Sequence, residues 1–238
     1  MNENICREIY ALVKNNLPDI LALRFTGQLK DDGTYVSKGD LLCDRLVREY
    51  IMTHIPGSHI VSEEDKSSWS IPADKDVIIT VDPIDGTENF VSGLKEWGMG
   101  VSIYRKGEHF QSMIALPELD ICVVTGDKTD RVPSSRLCGL PSYMKQEHFE
   151  QLGHDYEYRQ FGCCMINMYN VIKGSFAKFL HLTGCYSWDI LPGMNLALEN
   201  GLSVEINGVP YHGQFLQPGV KYKFVVGQPK HNVKNIET

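Results

Sequence analysis

The stretch Val81–Phe90, with the sequence VDPIDGTENF, is the segment from which the fold and chemistry of this chain can be inferred. It follows residues 77–80, VIIT, a β-branched run that predicts a buried strand. Asp82 and Asp85 therefore arrive together at the carboxyl end of that strand. Gly86 permits a sharp turn after them. The pattern predicts that both carboxylates point into one small volume.

Two carboxylates held this close repel each other unless a cation lies between them, and oxygen ligands suit hard ions such as Mg²⁺ or Mn²⁺. An EF-hand loop counted from Asp82 would put Ile84 and Gly86 where acidic or amide side chains are needed. An aspartyl-phosphatase motif would need its nucleophile two residues before Asp85, where Pro83 stands. Both alternatives fail. Taken alone, the pattern is equally compatible with an acidic turn after a strand.

Two further acidic motifs lie on either side of this stretch. The sequence Ser62-Glu63-Glu64-Asp65 lies upstream, and Trp188-Asp189 opens a helical pattern downstream. In this order, the three motifs resemble the signatures of the inositol monophosphatase superfamily of metal-dependent, lithium-sensitive phosphatases. The resemblance extends through residues 30–40 and 162–174 into the C-terminus, so it covers essentially the whole chain.

The resemblance implies an α+β or α/β fold, a layered αβαβα sandwich of the inositol monophosphatase type. It implies two halves: residues 1–130 with the Glu-Glu and Asp-Pro-Ile-Asp-Gly-Thr motifs, and residues 131–238 with Trp-Asp and the substrate-recognition residues. The residue patterns predict a packing helix over 4–16, a polar loop over 26–34 and an antiparallel meander over 98–125. They also predict a helix opening at Gly162–Cys164 and a last major helix from Trp188.

Composition excludes several classes of protein. The 238 residues are 42% hydrophobic, enough to bury a substantial core. A formal net charge of −7 argues against binding to nucleic-acid polymers or membrane surfaces, because either would favour a basic face. No stretch is long and apolar enough for a membrane span, and the start lacks a signal-peptide pattern, which predicts a cytoplasmic protein. The seven cysteines contain no Cys-x-x-Cys pair.

The resemblance implies two Mg²⁺ ions, for which Mn²⁺ could substitute. The first ion would be held by Glu63, Asp82 and the Ile84 carbonyl, and the second by Asp82, Asp85 and Asp189. Glu63 is selected over Glu64 by matching to the family motif, since only one of two neighbours on a strand can face the site. The implied catalytic residues are Glu63 and Thr87, which would orient and deprotonate the attacking water, together with Asp85.

A third, weaker metal is left open by the sequence. Asp40 could cap the helix that follows it, could hold a water of the third metal as the family position does, or could do both. Lys30 falls where the family has a catalytic arm that often carries a lysine and acids, here Asp31 and Asp32. It is equally compatible with an ordinary solvated loop charge.

The residues that the resemblance places at the substrate are Gly86, Thr87, Gly162, Cys163, His181 and Asp189. Cysteines stand at 163 and 164 where the family usually has a serine, which removes a good hydrogen-bond donor. His181 stands where inositol monophosphatases commonly have glutamate and bisphosphate nucleotidases arginine; a partly buried structural histidine is the alternative.

The most favoured reaction is therefore Mg²⁺-dependent hydrolysis of a small phosphorylated metabolite by metal-activated water. The C-terminal pattern at residues 215–219 and His181 lean toward a 3′(2′),5′-bisphosphate nucleotidase that converts 3′-phosphoadenosine 5′-phosphate to AMP. An inositol monophosphatase or another sugar-phosphate phosphatase is the alternative, and an inactive binding homologue is the alternative outside enzymes. The resemblance also implies a homodimer, although no interface can be read from the sequence.

Overall fold

Three helices form the first layer of the computed structural model, which describes residues 4–30, 33–131 and 135–228. They are α1 (Ile5–Asn15), α2 (Leu17–Ala22) and α3 (Lys38–His54). α1 buries Ile5, Ile9 and Val13, three members of the apolar stripe that predicts it. Asp31 and Asp32, which the sequence placed near a third metal, lie outside the described residues.

A five-stranded sheet packs against this helical layer. Its strands are β3 (His59–Ser62), β4 (Val77–Asp85), β5 (Gly98–Arg105), β6 (Glu108–Leu116) and β7 (Ile121–Val124), in that spatial order. β3 and β4 pair in parallel, and every later pair is antiparallel. The predicted meander is thereby confirmed. A short helix, α4 (Thr87–Val91), connects β4 to β5.

A second, six-stranded sheet is built from the C-terminal part of the chain. In chain order its strands are β8 (Leu137–Leu140), β9 (Glu157–Gln160), β10 (Lys178–Cys185), β11 (Ser203–Ile206), β12 (Val209–Pro210) and β13 (Tyr222–Gly227). Their spatial order is β12-β11-β13-β10-β8-β9. A four-residue helix, α5 (Gln146–Phe149), lies in the connection between the parallel strands β8 and β9.

Two helices lie between the sheets: α6 (Cys164–Lys173) and α7 (Ser187–Glu199). α7 contacts β4, β5 and β6 on one side and β11 and β13 on the other. Glycines allow this close packing, because a Cβ added to Gly193 would lie 2.3 Å from Met168 Cγ and one added to Gly100 would lie 2.9 Å from Pro192 Cγ. The layered α+β architecture is confirmed.

The segment predicted as a polar loop over residues 26–34 differs from that prediction. It begins a small hairpin of β1 (Gln28–Leu29) and β2 (Tyr35–Val36), in which Leu29 pairs with Tyr35. Two-residue strands are too short to show an alternating pattern, so sequence reasoning missed them. In the described residues, no helix combines the length and apolar character needed to cross a membrane.

Candidate metal centre and adjoining cavity

The parallel pairing of β3 and β4 brings two acids to the same edge of the sheet. Ser62 is in register with Val81, so the next residues, Glu63 and Asp82, leave the pair side by side. The Glu63 N–H donates to the Val81 carbonyl at 3.3 Å. Asp82 is buried, with 1% of its surface exposed. The register of two strands thus explains why acids 19 positions apart in the chain meet.

The turn after β4 is closed by Gly86, whose φ of +85° favours glycine. Thr87 begins α4, and its Oγ1 lies 3.1 Å from the Ile84 carbonyl oxygen and 3.0 Å from Asp40 Oδ1. A hydroxyl has one proton to donate. If Thr87 donates to Asp40, the Ile84 carbonyl oxygen is left available to another ligand.

Asp40 lies in the first turn of α3. Its Oδ2 accepts hydrogen bonds from the Ser37 hydroxyl and from the Ser37 backbone N–H, the latter at 2.8 Å, while Ser37 Oγ accepts from the backbone of Gly39 and Asp40. Burial raises the pKa of the Asp40 carboxyl, and these hydrogen bonds partly oppose that rise. The expected cap at Asp40 is therefore corrected to Ser37, since α3 begins two residues before Asp40, and the contact with Thr87 joins Asp40 to the site. Its role at a third metal stays a prediction.

The other two acids are held by helix N-termini. Asp85 Oδ2 accepts from the Met165 backbone N–H and from Cys163 Sγ, the latter at 2.9 Å. Asp189 lies in the first turn of α7, and its Oδ2 accepts from the Tyr186 N–H at 2.9 Å. Backbone amides at the N-termini of α6 and α7 therefore fix Asp85, at the end of β4, and Asp189, in α7.

Glu63, Asp82 and Asp189 place one carboxylate oxygen each within 4.8 Å of one another. Burial, and then the charge of neighbouring acids, raises the pKa of Glu63 to about 8 and that of Asp189 to about 7, and it raises the pKa of Asp82 as well. Asp85 has its own hydrogen-bond donors, Met165 and Cys163, but its charge still acts on Asp82 and Asp189. The cluster carries more negative charge than the protein neutralises.

Both carboxylate oxygens of Asp82 are buried without any hydrogen-bond donor from the described residues. Leaving a buried polar group unpaired is costly, and more so when it is ionised. A divalent cation with a preference for oxygen would satisfy both oxygens and the excess charge together. The donor set therefore fits Mg²⁺ or Mn²⁺.

Lys30 follows β1 and reaches the same acids. Its Nζ lies 3.3 Å from Glu63 Oε1 and 3.0 Å from Glu64. The sequence left open whether Lys30 belongs to a catalytic arm or is a solvated loop charge. Its contacts with both glutamates do not fit a solvated loop charge. Lys30 bridges the two glutamates, so Glu64 faces the lysine while Glu63 also belongs to the acid cluster.

The predicted substrate residues of the second half lie around a buried group of thiols. Cys163 caps α6, accepting from the Ile166 N–H through Sγ. Gly162 precedes it at a φ of +69°, against the Asn89 amide. Behind Cys163, Cys164 Sγ lies 3.3 Å from Cys185 Sγ, which in turn lies 2.9 Å from His181 Nε2. All three of these cysteines are free and buried.

His181 is 7% exposed and is packed against the rings of Phe179 and Phe224. Its Nδ1 accepts from the Gly184 N–H at 3.0 Å. Burial, followed by the charge of Lys221, lowers the pKa of His181 to about 4. The imidazole is therefore neutral near pH 7 and cannot supply the positive charge of an arginine, although it lines the cleft beside the acids.

A cavity of about 620 Å³ adjoins the acid cluster. Glu63 and Asp189 line it together with Trp69, Tyr186 and Lys221. Sequence reasoning missed the last three residues. Trp69 lies soon after the Glu-Glu motif and Tyr186 directly before the Trp-Asp segment, so their proximity to the motifs was the available signal. Nothing in the sequence placed Lys221 beside them.

Comparison with known proteins identifies the family. The model of the inositol monophosphatase family matches residues 2–129, more than half of the chain. The chain belongs to the inositol monophosphatase family. It is accordingly a metal-dependent phosphoric monoester hydrolase, as the three motifs predicted.

Relatives within and around this family are distant. An inositol-1-monophosphatase of Rhizobium meliloti is 25% identical over 195 residues, covering 73% of this chain and 72% of that protein. A 3′(2′),5′-bisphosphate nucleotidase CysQ of Salmonella typhimurium is 25% identical over 92 residues, covering 39% and 37%. An uncharacterized protein of Sinorhizobium fredii, y4fL, is 36% identical over 93 residues, covering 39% of this chain and 32% of that protein. The chain thus spans about a third of the length of some of these relatives.

A solved IMPase/NADP phosphatase, complexed with NADP and Ca²⁺, superimposes with a TM-score of 0.78. The superposition covers 95% of this chain and 90% of that chain at 18% sequence identity. At this identity the likeness supports the fold alone. It agrees with the layered architecture described above.

Proposed function

We propose that this chain is a Mg²⁺-dependent phosphomonoesterase whose substrate is a 3′(2′),5′-bisphosphate nucleotide such as 3′-phosphoadenosine 5′-phosphate. The observation that carries the reaction class is Asp82, whose two buried oxygens have no donor and lie beside Glu63 and Asp189. Such an arrangement is unfavourable without a cation and favourable with one.

In this proposal Glu63, Asp82, the Ile84 carbonyl, Asp85 and Asp189 hold two ions. When bound, the ions neutralise the phosphate dianion and stabilise the entering and leaving oxygens of an in-line displacement. A third ion near Asp40, replacement by Mn²⁺ and inhibition by lithium are further parts of the proposal.

Thr87 and Glu63 are proposed to orient the attacking water and to accept its proton. Thr87 donates its hydroxyl proton to Asp40 Oδ1, so that Thr87 Oγ1 is left as an acceptor for a hydrogen of the attacking water. Glu63 then accepts a proton from that water through a carboxylate oxygen. No side chain in the Asp-Pro-Ile-Asp-Gly-Thr motif is placed as a nucleophile, so hydrolysis yields the alcohol and inorganic phosphate without a covalent intermediate.

The N-terminus of α6 is proposed to contribute to substrate binding through Gly162 and Cys163, with Gly86, Thr87, His181 and Asp189 on the facing side of the cleft. These residues line one continuous space with the acids. The Met165 and Ile166 N–H groups of this N-terminus already donate to Asp85 Oδ2 and Cys163 Sγ, so the contribution of α6 to binding an anion would come from the positive end of its helix dipole. Cys163 Sγ is turned toward Asp85, so its substrate contact would be by shape more than by hydrogen bonding.

The choice of a nucleotide is supported by the partial match to CysQ and by the aromatic and lysine residues of the adjoining cavity. An inositol or other sugar phosphate is the second candidate, supported by the longer match to the Rhizobium meliloti inositol-1-monophosphatase. The expected homodimer, the cytoplasmic location and the division at residues 130 and 131 stay predictions.

Phosphate release tests the proposal. Wild-type protein with Mg²⁺ is assayed side by side on 3′-phosphoadenosine 5′-phosphate, inositol 1-phosphate, fructose 1,6-bisphosphate and histidinol phosphate. We expect the nucleotide to be preferred, lithium to inhibit, and Asp85→Asn to lower turnover at least 100-fold, on the order of the effect of losing one metal or transition-state contact. Unchanged phosphate release by a folded Asp85→Asn protein would contradict the assignment, and an inactive wild type would favour a binding homologue.

A further inference from the structure

Three aromatic rings form one wall of the 620 Å³ cavity. Tyr186 stacks on Trp188 with 4.8 Å between ring centroids, and Trp69 lies 4.8 Å from Trp188 and 5.8 Å from Tyr186, so the three rings contact one another. Trp188 is buried, whereas Trp69 and Tyr186 are only half-buried and line the cavity. The cavity, which Glu63 and Asp189 also line, therefore has an aromatic surface beside the acid cluster.

The wall is fixed in position from both halves of the protein. Trp69 Nε1 donates to the Ser62 carbonyl at 2.9 Å, which ties the ring to the end of β3, one residue before Glu63. The Tyr186 backbone N–H holds Asp189. Because the wall and the acids share these segments, a ligand contacting the rings would have a set distance from the reacting phosphate.

Positive charge lies at the same wall. Lys221 Nζ is 5.1 Å from the centroid of the Tyr186 ring. The turn that carries it packs beside Trp69, since a Cβ added to Gly219 would lie 3.5 Å from that ring. Lys66, on the 3-10 helix Lys66–Trp69, also lines the cavity. Lys30 already bridges Glu63 and Glu64, whereas the Lys221 ammonium lies over the Tyr186 ring.

We propose that Trp69, Tyr186 and Lys221 form a nucleotide subsite: the rings contact the base, and Lys221, with Lys66, binds the phosphoryl group that is not hydrolysed. This inference rests on the proposed phosphomonoesterase function of the adjoining acids. The ligand class is a purine ribonucleotide with a phosphomonoester on the ribose and a second phosphoryl group at the 5′ position.

Charge and shape favour this class over a monophosphorylated polyol. A single phosphate is consumed at the acid cluster, so an inositol monophosphate offers no second anion for Lys221. A planar base matches an aromatic wall, because every base has a π-face that stacks on such rings. A cationic side chain beside the same ring suits the phosphate of that nucleotide.

Selectivity is the quantity to measure. The wild type and the variants Trp69→Leu, Trp69→Phe, Lys221→Gln and Lys223→Gln are assayed at one Mg²⁺ concentration on 3′-phosphoadenosine 5′-phosphate, NADP⁺ and glycerol 2-phosphate. The third ester has neither base nor second phosphate. Lys223 is an exposed lysine two residues along the chain and serves as the matched control.

We expect Trp69→Leu and Lys221→Gln each to lower the ratio of kcat/KM for a nucleotide over that for glycerol 2-phosphate about tenfold. Trp69→Phe, which loses the same hydrogen bond to Ser62 but keeps a ring, retains most of the ratio, and Lys223→Gln leaves it unchanged. A lower ratio for either nucleotide supports the subsite, and the nucleotide affected identifies which of the two the subsite binds. Equal changes on all three esters, or none, would overturn it.

Binding separates failure of the subsite from failure of the proposed function. If the wild type releases no phosphate from any ester, the hydrolase proposal fails. The subsite is then tested by calorimetric titration with AMP, which has a base and one phosphate. We expect AMP to bind the wild type about tenfold more tightly than Lys221→Gln. Equal affinity in folded proteins would overturn the subsite independently of activity.

Discussion

The two sheets contribute differently to the cleft between them. The five-stranded sheet brings Glu63, Asp82 and Asp85 from the ends of two neighbouring strands, and these residues are chemically uniform oxygen donors. The six-stranded sheet and its helices add one more acid, Asp189, and surround it with thiols, a neutral histidine, aromatic rings and a lysine. We infer that the first sheet supplies the acids of the reaction, and that the second region, together with Trp69, selects the substrate.

Removing the acid at the centre of the first sheet is expected to give the largest effect. Asp82→Asn should lower kcat/KM by about 1000-fold or more, because Asp82 is proposed to contact both ions. At pH 8 without metal, its melting temperature should equal or exceed that of the wild type, since a neutral amide has no charge to bury. The stabilisation that Mg²⁺ gives the wild type should disappear.

Kinetics and thermal melts with and without Mg²⁺ measure both parts of this prediction. Asp120→Asn is the matched control, because Asp120 is an exposed acid whose side chain is 78% accessible. A variant that still gains stability from Mg²⁺ would show that Asp82 is not the shared ligand, and the division of roles between the sheets would lose its main support.

Packing between α6 and α7, the two helices of the second region that lie between the sheets, gives the next largest effect. Gly193→Ala should destabilise the protein by about 3 kcal/mol, because the new Cβ would lie 2.3 Å from Met168 Cγ and 2.6 Å from Met168 Cβ. Helix propensity alone would favour alanine by roughly 1 kcal/mol. Denaturant unfolding measures the change, with Gly153→Ala, where nothing lies within 4 Å, as control. A stabilised Gly193→Ala protein would show that the helices between the sheets can separate freely.

Acid should weaken the second region through His181. The pKa of this residue falls from its usual value near 6.5 to about 4 on folding. Between these values the unfolded chain binds a proton that the folded chain does not, so stability is lost as pH falls from about 6.5 toward 4. His181→Asn removes this dependence. Its stability relative to the wild type should therefore rise by about 2 kcal/mol between pH 7 and pH 5.

Denaturant unfolding at the two pH values measures the His181 effect. His212→Asn is the control, since His212 is exposed. If the difference between wild type and His181→Asn is the same at pH 7 and pH 5, the imidazole is accessible to protons in the folded state. The difference in charge between the acids of the first sheet and the imidazole of His181 in the second region would then be smaller than proposed.

The features that the sequence predicted correctly are those that depend on residues close together in the chain. The acids of the Asp-Pro-Ile-Asp-Gly-Thr motif stand next to a β-branched strand, and the strands over 98–125 alternate with turn residues, so local patterns predicted both. The layered fold followed from three ordered motifs. These features depend on interactions between residues close in the chain or on a family pattern.

Sequence reasoning failed where the outcome depends on contacts between distant residues. The β1–β2 hairpin is too short to leave a pattern, and the bridge from Lys30 to Glu63 and Glu64 depends on where that hairpin packs. The neutral state of His181 follows from burial among Phe179 and Phe224, which the sequence does not reveal. The aromatic wall joins Trp69 to Tyr186 across more than a hundred residues, so no local signal could define it.

The separation of the acids along the chain has a consequence for biosynthesis. Glu63, Asp82 and Asp85 leave the ribosome well before Asp189, the last acid of the cluster, which becomes available only when α7 has been made. A nascent chain that ends before α7 has the first sheet's acids but lacks the ligand from the second region and the helix that covers them. A complete acid cluster therefore exists only after the chain has been synthesised through α7.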